Sequence, residues 1–220
     1  MADVAVEQHL GHAEFEPSLF QTYSNKIGMW LLILSDSLTF GALLFAYSYG
    51  RISNPTWPTP FHSASIVNAT VMTGFLLTSS LTMVLAVSAS SHGNRKGAIR
   101  WLLATMFCGI MFVVLHVREW IGLINEGMTP SKNPWGAPQF GGTFFTLTGL
   151  HMLHVTIGVV VLGVMVVRSM GKKFSSNDIE TSGLYWHFVD LVWMFIFPLV
   201  YLMSTRIVYE GPHEHRRHHR

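Results

Sequence analysis

Long apolar runs separated by short polar connectors are the main pattern along this chain. Five runs reach the roughly 20 residues that a helix needs, at about 1.5 Å per residue, to cross the hydrocarbon core of a bilayer. They cover residues 27–49, 65–89, 98–123, 142–167 and 183–208. The pattern predicts an all-α membrane protein, a bundle of five transmembrane helices.

The connectors between the runs carry the residues that interrupt helices. Pro55, Pro58 and Pro60 follow the first run, and proline or glycine also occurs in each later connector. The chain therefore divides into three predicted parts. These are a polar N-terminal segment (1–26), a five-helix transmembrane domain (27–208) and a tail rich in histidine and arginine (209–220).

The distribution of cations between short loops predicts the orientation. The second connector region contains Arg95, Lys96 and Arg100, and the fourth contains three more cations (Arg168, Lys172 and Lys173). The first and third have one each, Arg51 and Lys132. Because cation-rich short loops stay in the cytoplasm, we expect a cytoplasmic N-terminus and a periplasmic C-terminus. The basic tail is the one feature that argues the other way.

Composition excludes several classes of function. Charged residues make up 12% of the chain, about half the share usual in soluble domains. A net charge of +2 without a basic face does not indicate a nucleic-acid binder. The single cysteine, Cys108, rules out an internal disulfide and any metal site with several thiolates.

Ionisable residues inside the predicted spans are the candidates for function, because charge in a membrane interior is costly. They form one predicted buried polar network: Asp36, His151, His154, His187 and Asp190. The functional interpretation is a proton path or a haem site, and the structural one is a set of hydrogen bonds between helices. We favour the structural interpretation for the histidines and Asp190, while both stay open for Asp36.

Depth along the helices predicts a partner for Asp36. It lies about nine residues into the first run, roughly 14 Å from the cytoplasmic edge. His154 enters from the opposite side and lies about 12 Å from the same edge of a core about 30 Å thick. We therefore expect Asp36 to contact His154, with His151 as the alternative.

Other side chains have simpler interpretations. His116 and Glu119 lie three residues apart and form a predicted polar pair at the outer end of the third run. Five tryptophans fall near the predicted membrane surfaces and are interpreted as an interfacial aromatic belt: Trp57, Trp101, Trp120, Trp135 and Trp186.

The fifth run contains the sequence Tyr-Trp-His-Phe-Val-Asp-Leu-Val-Trp at residues 185–193, which resembles the signature of subunit III of the haem–copper respiratory oxidases. The fourth run adds Gly-Thr-Phe-Phe at 142–145 and the histidine-containing segment 148–158. Ser35 and Asp36 match the first span of that family. The matches extend over nearly the whole predicted membrane domain.

The resemblance implies a non-catalytic subunit of an oxidoreductase complex in the bacterial cytoplasmic (inner) membrane. Members of the family hold no haem and no copper, and they pack against the catalytic subunit I alongside subunit II. They bind phospholipid, and they help to sustain proton uptake and enzyme lifetime in a complex that reduces oxygen and pumps protons. Arg168 and Lys173 match, loosely, basic positions that contact lipid phosphate. Membership of a respiratory supercomplex is left open.

The chain departs from the common family pattern in ways that leave the electron donor open. Many members have seven spans, whereas five are predicted here, as in short bacterial forms. Asp36 replaces a glutamate, as in quinol oxidases, while Tyr185 and Trp186 resemble the cytochrome c oxidases. We favour cytochrome c oxidase, with a quinol oxidase or a nitric oxide reductase accessory subunit as alternatives. A small proton-coupled transporter and a membrane b-type cytochrome are rivals of other classes.

The orientation can be tested with reporters fused after Arg220. Because the short-loop cations place this end outside, we expect a phosphatase that is active only in the periplasm to be active there. Fusion after Lys96, in the second connector, provides the control and should give an inactive phosphatase. Activity at Arg220 from a reporter that works only in the cytoplasm would reverse the assignment.

Overall fold

Five long α-helices form the structure, a computed structural model that describes residues 19–137, 139–171 and 175–204, with side chains from residue 23. In chain order they are α1 (Leu19–Ser53), α2 (Ser63–Ser91), α3 (Arg95–Asn125), α4 (Gln139–Met170) and α5 (Ser176–Ile196). A π-helical turn, Phe197–Tyr201, and a short 3₁₀ turn, Leu202–Ser204, extend α5. All five are long and apolar enough to cross a membrane, so the predicted fold class is confirmed.

The first four helices are longer than the apolar runs that predicted them, and the fifth begins earlier than its run. The first begins at Leu19 rather than at residue 27, and the fifth begins at Ser176 rather than at residue 183. Backbone hydrogen bonding continues through polar residues that lie beyond the hydrocarbon core, so hydropathy alone places helix ends too far inward. Ser175 fixes the start of α5, because its side chain accepts a hydrogen bond from the Asp178 N–H at 3.3 Å. The predicted end at residue 208, residues 1–18 of the N-terminal segment and the whole tail (209–220) lie outside the described residues.

The fifth helix lies at the centre of the bundle. It packs against α1, α2 and α4, while α2 and α3 form an antiparallel hairpin and α1 rests mainly on α4 and α5. Half of the most apolar window of α5 is buried, against 6% of the corresponding window of α1. The first helix is therefore the most peripheral of the five and leaves most of its apolar surface uncovered.

Arginine side chains close the bundle at both of its ends. We call the end with connectors 54–62 and 126–138 the first-loop end, and the end with connectors 92–94 and 171–175 the second-loop end. At the first-loop end Arg51 donates to the Met203 carbonyl and to the Ser204 hydroxyl. At the second-loop end Arg95 donates to the carbonyls of Ser169 and Gly171. These bonds satisfy carbonyls that a terminating helix leaves without a partner.

The Trp186 side chain joins three helices at the middle of the bundle. It is buried, and its indole lies against two glycines, Gly109 on α3 and Gly158 on α4. A Cβ atom at Gly109 would stand 2.6 Å from the indole, and one at Gly158 would stand 2.9 Å from it. Small residues at both places therefore make room for the indole between α3, α4 and α5.

Replacing Gly109 with alanine tests this junction. The added methyl group meets the Trp186 ring, and overpacking of this kind costs about 1–3 kcal/mol, so we expect a lower midpoint of thermal unfolding. Gly74→Ala on α2 is the matched control, because nothing lies within 4 Å of its added Cβ. Equal midpoints for the two variants would show that the indole does not set the helix spacing.

Candidate functional site

Asp36 and His154 form an ion-pair contact between α1 and α4. The Asp36 Oδ2 lies 3.3 Å from the His154 Nε2, and the two side chains are 22% and 14% exposed. The structure thus joins the two residues that the depth estimate predicts to be level. His151, one turn along α4, does not replace His154 as the partner.

The hydrogen bonds of His154 define how many protons the pair holds. Its Nδ1 lies 2.8 Å from the Leu150 carbonyl oxygen, which can only accept, so Nδ1 carries a proton. The Nε2 and the Asp36 oxygen would repel each other if both were bare acceptors. One further proton must lie between them, as an imidazolium facing a carboxylate or as a neutral histidine facing a carboxylic acid. In either form the pair as a whole is neutral, which suits its position in the membrane.

Aromatic side chains surround this pair. The ring of Phe40, one turn after Asp36, packs edge-on against His154 at a centroid distance of 5.2 Å and lies 6.4 Å from Phe188 on α5. The Tyr185 hydroxyl donates to the His154 backbone carbonyl at 3.1 Å. The pair is therefore held at the junction of α1, α4 and α5.

A second polar group joins α5 to α2. His187 Nδ1 lies 2.8 Å from the Ser80 hydroxyl, and the Trp186 indole N–H donates to the Ser79 hydroxyl at 2.9 Å. Asp190 is buried one turn beyond Trp186, beside the same two serines. Further along, the Trp193 indole N–H donates to Thr73 at 2.9 Å. A row of hydroxyl groups on α2 thus faces the polar side chains of α5.

The predicted five-residue network is divided in two by the structure. Asp36 and His154 belong to the contact between α1 and α4, whereas His187 and Asp190 belong to that between α5 and α2. His151 belongs to neither, because its ring stacks on Trp193 at 5.1 Å and its nitrogens lack a hydrogen-bond partner among the described residues. Helical spacing identified the buried faces, but it does not specify which neighbouring helix each face meets.

His116 and Glu119 do not contact each other through a hydrogen bond in the described part of the chain. The ring of His116 is buried between aromatic side chains, and its centroid lies 5.6 Å from that of the Trp193 ring. The Glu119 carboxyl instead accepts a hydrogen bond from the Tyr201 hydroxyl at 3.1 Å. The two residues share one side of α3, but only Glu119 links this helix to the extension of α5.

Arg168, one of the two basic candidates, lies at the second-loop end. Arg168 forms an ion pair with Asp178 at 3.1 Å, between the end of α4 and the first turn of α5. Lys173 lies outside the described residues. Within the ranges that the structure describes, no group of three or more histidine, cysteine, aspartate or glutamate side chains is placed to hold a metal ion.

The sequence patterns did not identify several residues that form these contacts. The interpretation of Trp186 as part of an interfacial belt is wrong, because α5 starts at Ser176 and places this side chain about 15 Å along the helix. Ser79 and Thr73 were not singled out either. The sequence does contain a signal for them, because a buried indole N–H requires a hydrogen-bond acceptor. Trp186 and Trp193 lie seven residues apart on α5, and their acceptors Ser79 and Thr73 lie six residues apart on α2.

Comparisons with known proteins give a single answer. The family model described as cytochrome c oxidase subunit III matches residues 3–205. The quinol oxidase subunit 3 of Bacillus spizizenii is 33% identical over 185 residues, which is 82% of this chain and 87% of that protein.

Relatives named for other electron donors are about equally similar. The cytochrome bo(3) ubiquinol oxidase subunit 3 of Pseudomonas aeruginosa is 31% identical, over 81% of this chain and 84% of its own. The cytochrome c oxidase subunit 3 of Corynebacterium diphtheriae is 32% identical, over 79% and 86%.

A double-mutant cycle tests the contact between Asp36 and His154. Because removal of either partner leaves the other without its neutralising partner, we expect Asp36→Ala and His154→Ala to be coupled by about 1–3 kcal/mol in thermal or denaturant unfolding. The matched cycle of Asp36→Ala with His151→Ala should show coupling near zero. Strong coupling to His151 instead would contradict the pairing described here.

Proposed function

Because the chain belongs to the cytochrome c oxidase subunit III family, we propose that it supports the catalytic subunit of a bacterial haem–copper terminal oxidase without carrying a redox centre itself. In this proposal the chain lies in the cytoplasmic membrane, packs against subunits I and II, and extends the working life of the oxygen-reducing, proton-pumping complex. The family match over residues 3–205 is the observation that carries it.

The internal contacts of the polar residues support a structural role. Asp36 is neutralised by His154, His187 is bonded to Ser80, and Glu119 is bonded to Tyr201. Each contact joins two elements of this chain, so these side chains are already used to hold the bundle together. The largely exposed apolar surface of α1 is available to lipid or to a neighbouring subunit.

The packing around the two other buried histidines supports the absence of haem from this chain. His116 and His151 lie on different helices, an arrangement that two axial ligands of one haem would need. However, the Trp193 indole fills the space beside both rings, at centroid distances of 5.6 and 5.1 Å. We therefore place haem and copper in the partner subunits.

Lipid contact at the second-loop end is part of the proposal. The Arg168 side chain remains about half exposed although it pairs with Asp178, so part of its guanidinium can also reach a phosphate. Lys173, two residues after the connector begins, would provide a second cation. Association of the complex into a respiratory supercomplex would involve surfaces outside these contacts.

The favoured electron donor is cytochrome c, because Tyr185 and Trp186 in α5 resemble that group of oxidases. A quinol is the second candidate, and Asp36 together with the quinol oxidase relatives favours it. Oxygen uptake by the purified complex with reduced cytochrome c and with a quinol separates the two. Analysis of the co-purifying chains would identify the partner subunits in the same sample.

Replacement of Asp36 with alanine tests the supporting role. We expect a small change in the initial rate of oxygen uptake, because no redox step takes place in this chain. The number of turnovers before inactivation should fall several-fold as the attachment of α1 weakens. Ser37→Ala, at the neighbouring position of α1, is the control and should behave as the unchanged complex.

The opposite result would assign a catalytic role to Asp36. If Asp36→Ala abolished the first turnovers while the complex stayed fully assembled, the proposal of a supporting subunit would be wrong. Subunit content is measured on the same preparation by gel electrophoresis, so that loss of assembly is not mistaken for loss of catalysis.

A further inference from the structure

Asp190 is a buried carboxyl group that none of the contacts described above neutralises. It lies midway between Ser176 and Ser204, about 20 Å along the helix from either. Both of its oxygens are buried, and neither accepts a hydrogen bond from any residue that the structure describes. A carboxyl group at this depth in a membrane is costly as an anion, so its charge must be balanced.

The groups that face Asp190 carry no positive charge that could do so. On α2 they are the hydroxyl groups of Ser79 and Ser80. The nearest titratable residue on α5 itself is His187, one turn earlier. Within the described ranges, no lysine, arginine or histidine of any helix lies within ion-pair distance of the carboxyl. The smallest charge that neutralises Asp190 is therefore a proton.

The Ser79 hydroxyl is arranged to accept a hydrogen bond from Asp190 rather than to donate one. It donates its single proton to the Leu76 carbonyl at 2.6 Å, and one of its lone pairs accepts the Trp186 indole N–H at 2.9 Å. Because a hydroxyl has one proton and two lone pairs, only the second lone pair remains for Asp190. A carboxylate would be repelled by that lone pair, whereas a carboxylic acid can donate its O–H to it.

His187 and Ser80 connect Asp190 to the surface of the bundle. The His187 Nδ1 lies 2.8 Å from the Ser80 hydroxyl, and its Nε2 has no hydrogen-bond partner in the described part of the chain. The ring is half-buried, and because helix side chains tilt toward the N-terminus of their helix, it leans toward the second-loop end. The single Ser80 proton can point to His187 or to Asp190, so this hydroxyl can pass a proton between them.

A groove of about 370 Å³ between α2 and α5 reaches His187 from the second-loop end. Ser91 and Glu180 lie at its outer end, where both are exposed, and His187 lies at its inner end. Val84 lines the wall between them. This volume holds several water molecules, so water from the second-loop side can approach the His187 Nε2.

We propose that Asp190 is a proton-binding site that exchanges its proton with water on the second-loop side through His187 and Ser80. A hydronium ion in the groove gives a proton to the His187 Nε2, the Nδ1 proton passes to the Ser80 oxygen, and the original Ser80 proton passes to the carboxylate. Asp190 gains one proton, the hydronium ion loses one, and His187 ends as its other neutral tautomer. Release of the proton is the reverse of these steps.

The exchange route ends at Asp190 and does not continue across the membrane. The next polar contact toward the first-loop end is that of the Trp193 indole N–H, which donates to Thr73. An indole N–H only donates and cannot relay a proton, and the Thr73 hydroxyl donates to the Ala69 carbonyl at 2.8 Å. The site therefore stores a proton at mid-depth without transporting it, and it is independent of the supporting role proposed above.

Infrared difference spectroscopy of the purified complex that contains the full chain tests whether Asp190 holds a proton. A carboxylic acid and a carboxylate have separate C=O stretching bands. The spectrum of the unchanged complex minus that of Asp190→Asn should show one acid band at neutral pH, and Asp36→Asn should leave this band in place. Asp190→Glu keeps the acid and should shift its band, which assigns it if the asparagine variant does not assemble.

Transfer of the complex into D₂O tests the route, because the acid band moves to lower frequency as O–H becomes O–D. His187→Phe and Ser80→Ala each remove a proton-carrying group and should slow this shift at least about tenfold. Thr78→Ala, which removes a hydroxyl from the exposed side of α2, is their control and should exchange as the unchanged complex does.

A second pair of variants tests the groove itself. Val84→Trp fills it and should also slow the exchange, whereas Leu81→Trp adds the same ring to an exposed position of α2 outside the groove and should not. Absence of an acid band in both Asp190 difference spectra would overturn the proposal and indicate a carboxylate with a bound cation. An exchange rate unaffected by His187→Phe and Ser80→Ala would overturn it as well.

Discussion

The contact between Asp36 and His154 is the interaction on which the position of α1 depends. A carboxyl group near the middle of a membrane needs a partner, and the histidine supplies one while an added proton keeps the pair neutral. Two further polar contacts of α1 lie nearer its ends, where Lys26 pairs with Glu180 and Tyr47 contacts the Ser204 hydroxyl. Between those ends, the pair and the Phe40 ring hold this peripheral helix on α4 and α5, together with apolar side chains such as Ile33 and Leu44 that pack against the core.

Much of the fold could be predicted because the bilayer restricts what a chain can do. Long apolar runs with proline or glycine between them form helices in a bilayer, because a helix pairs its own backbone N–H and C=O groups in hydrogen bonds. Counting residues also predicted that Asp36 and His154 lie at the same depth in the membrane, because the rise per residue of a helix is constant. Motifs in the fourth and fifth runs then pointed to the family that the comparison identifies.

The neighbours of each helix could not be predicted in the same way. Spacing shows that His187 and Asp190 share a face, but which helix covers that face depends on how five cylinders pack. The structure turns it toward Ser79 and Ser80 on α2 rather than toward Asp36. The misplacement of Trp186 has another cause, since the polar residues at the start of α5 conceal that the helix has already begun.

The packing of the Trp186 indole against two glycines restricts how the helices can move relative to one another. With the indole held between Gly109 and Gly158, α3 and α5 cannot slide past each other without first separating, and α4 is locked to them in the same way. The hydroxyl groups of α2 bind this helix to α5, so α2 to α5 form one rigid block. A displacement imposed by a neighbouring subunit would therefore move α2 to α5 together, whereas α1, the most peripheral helix, could shift relative to them.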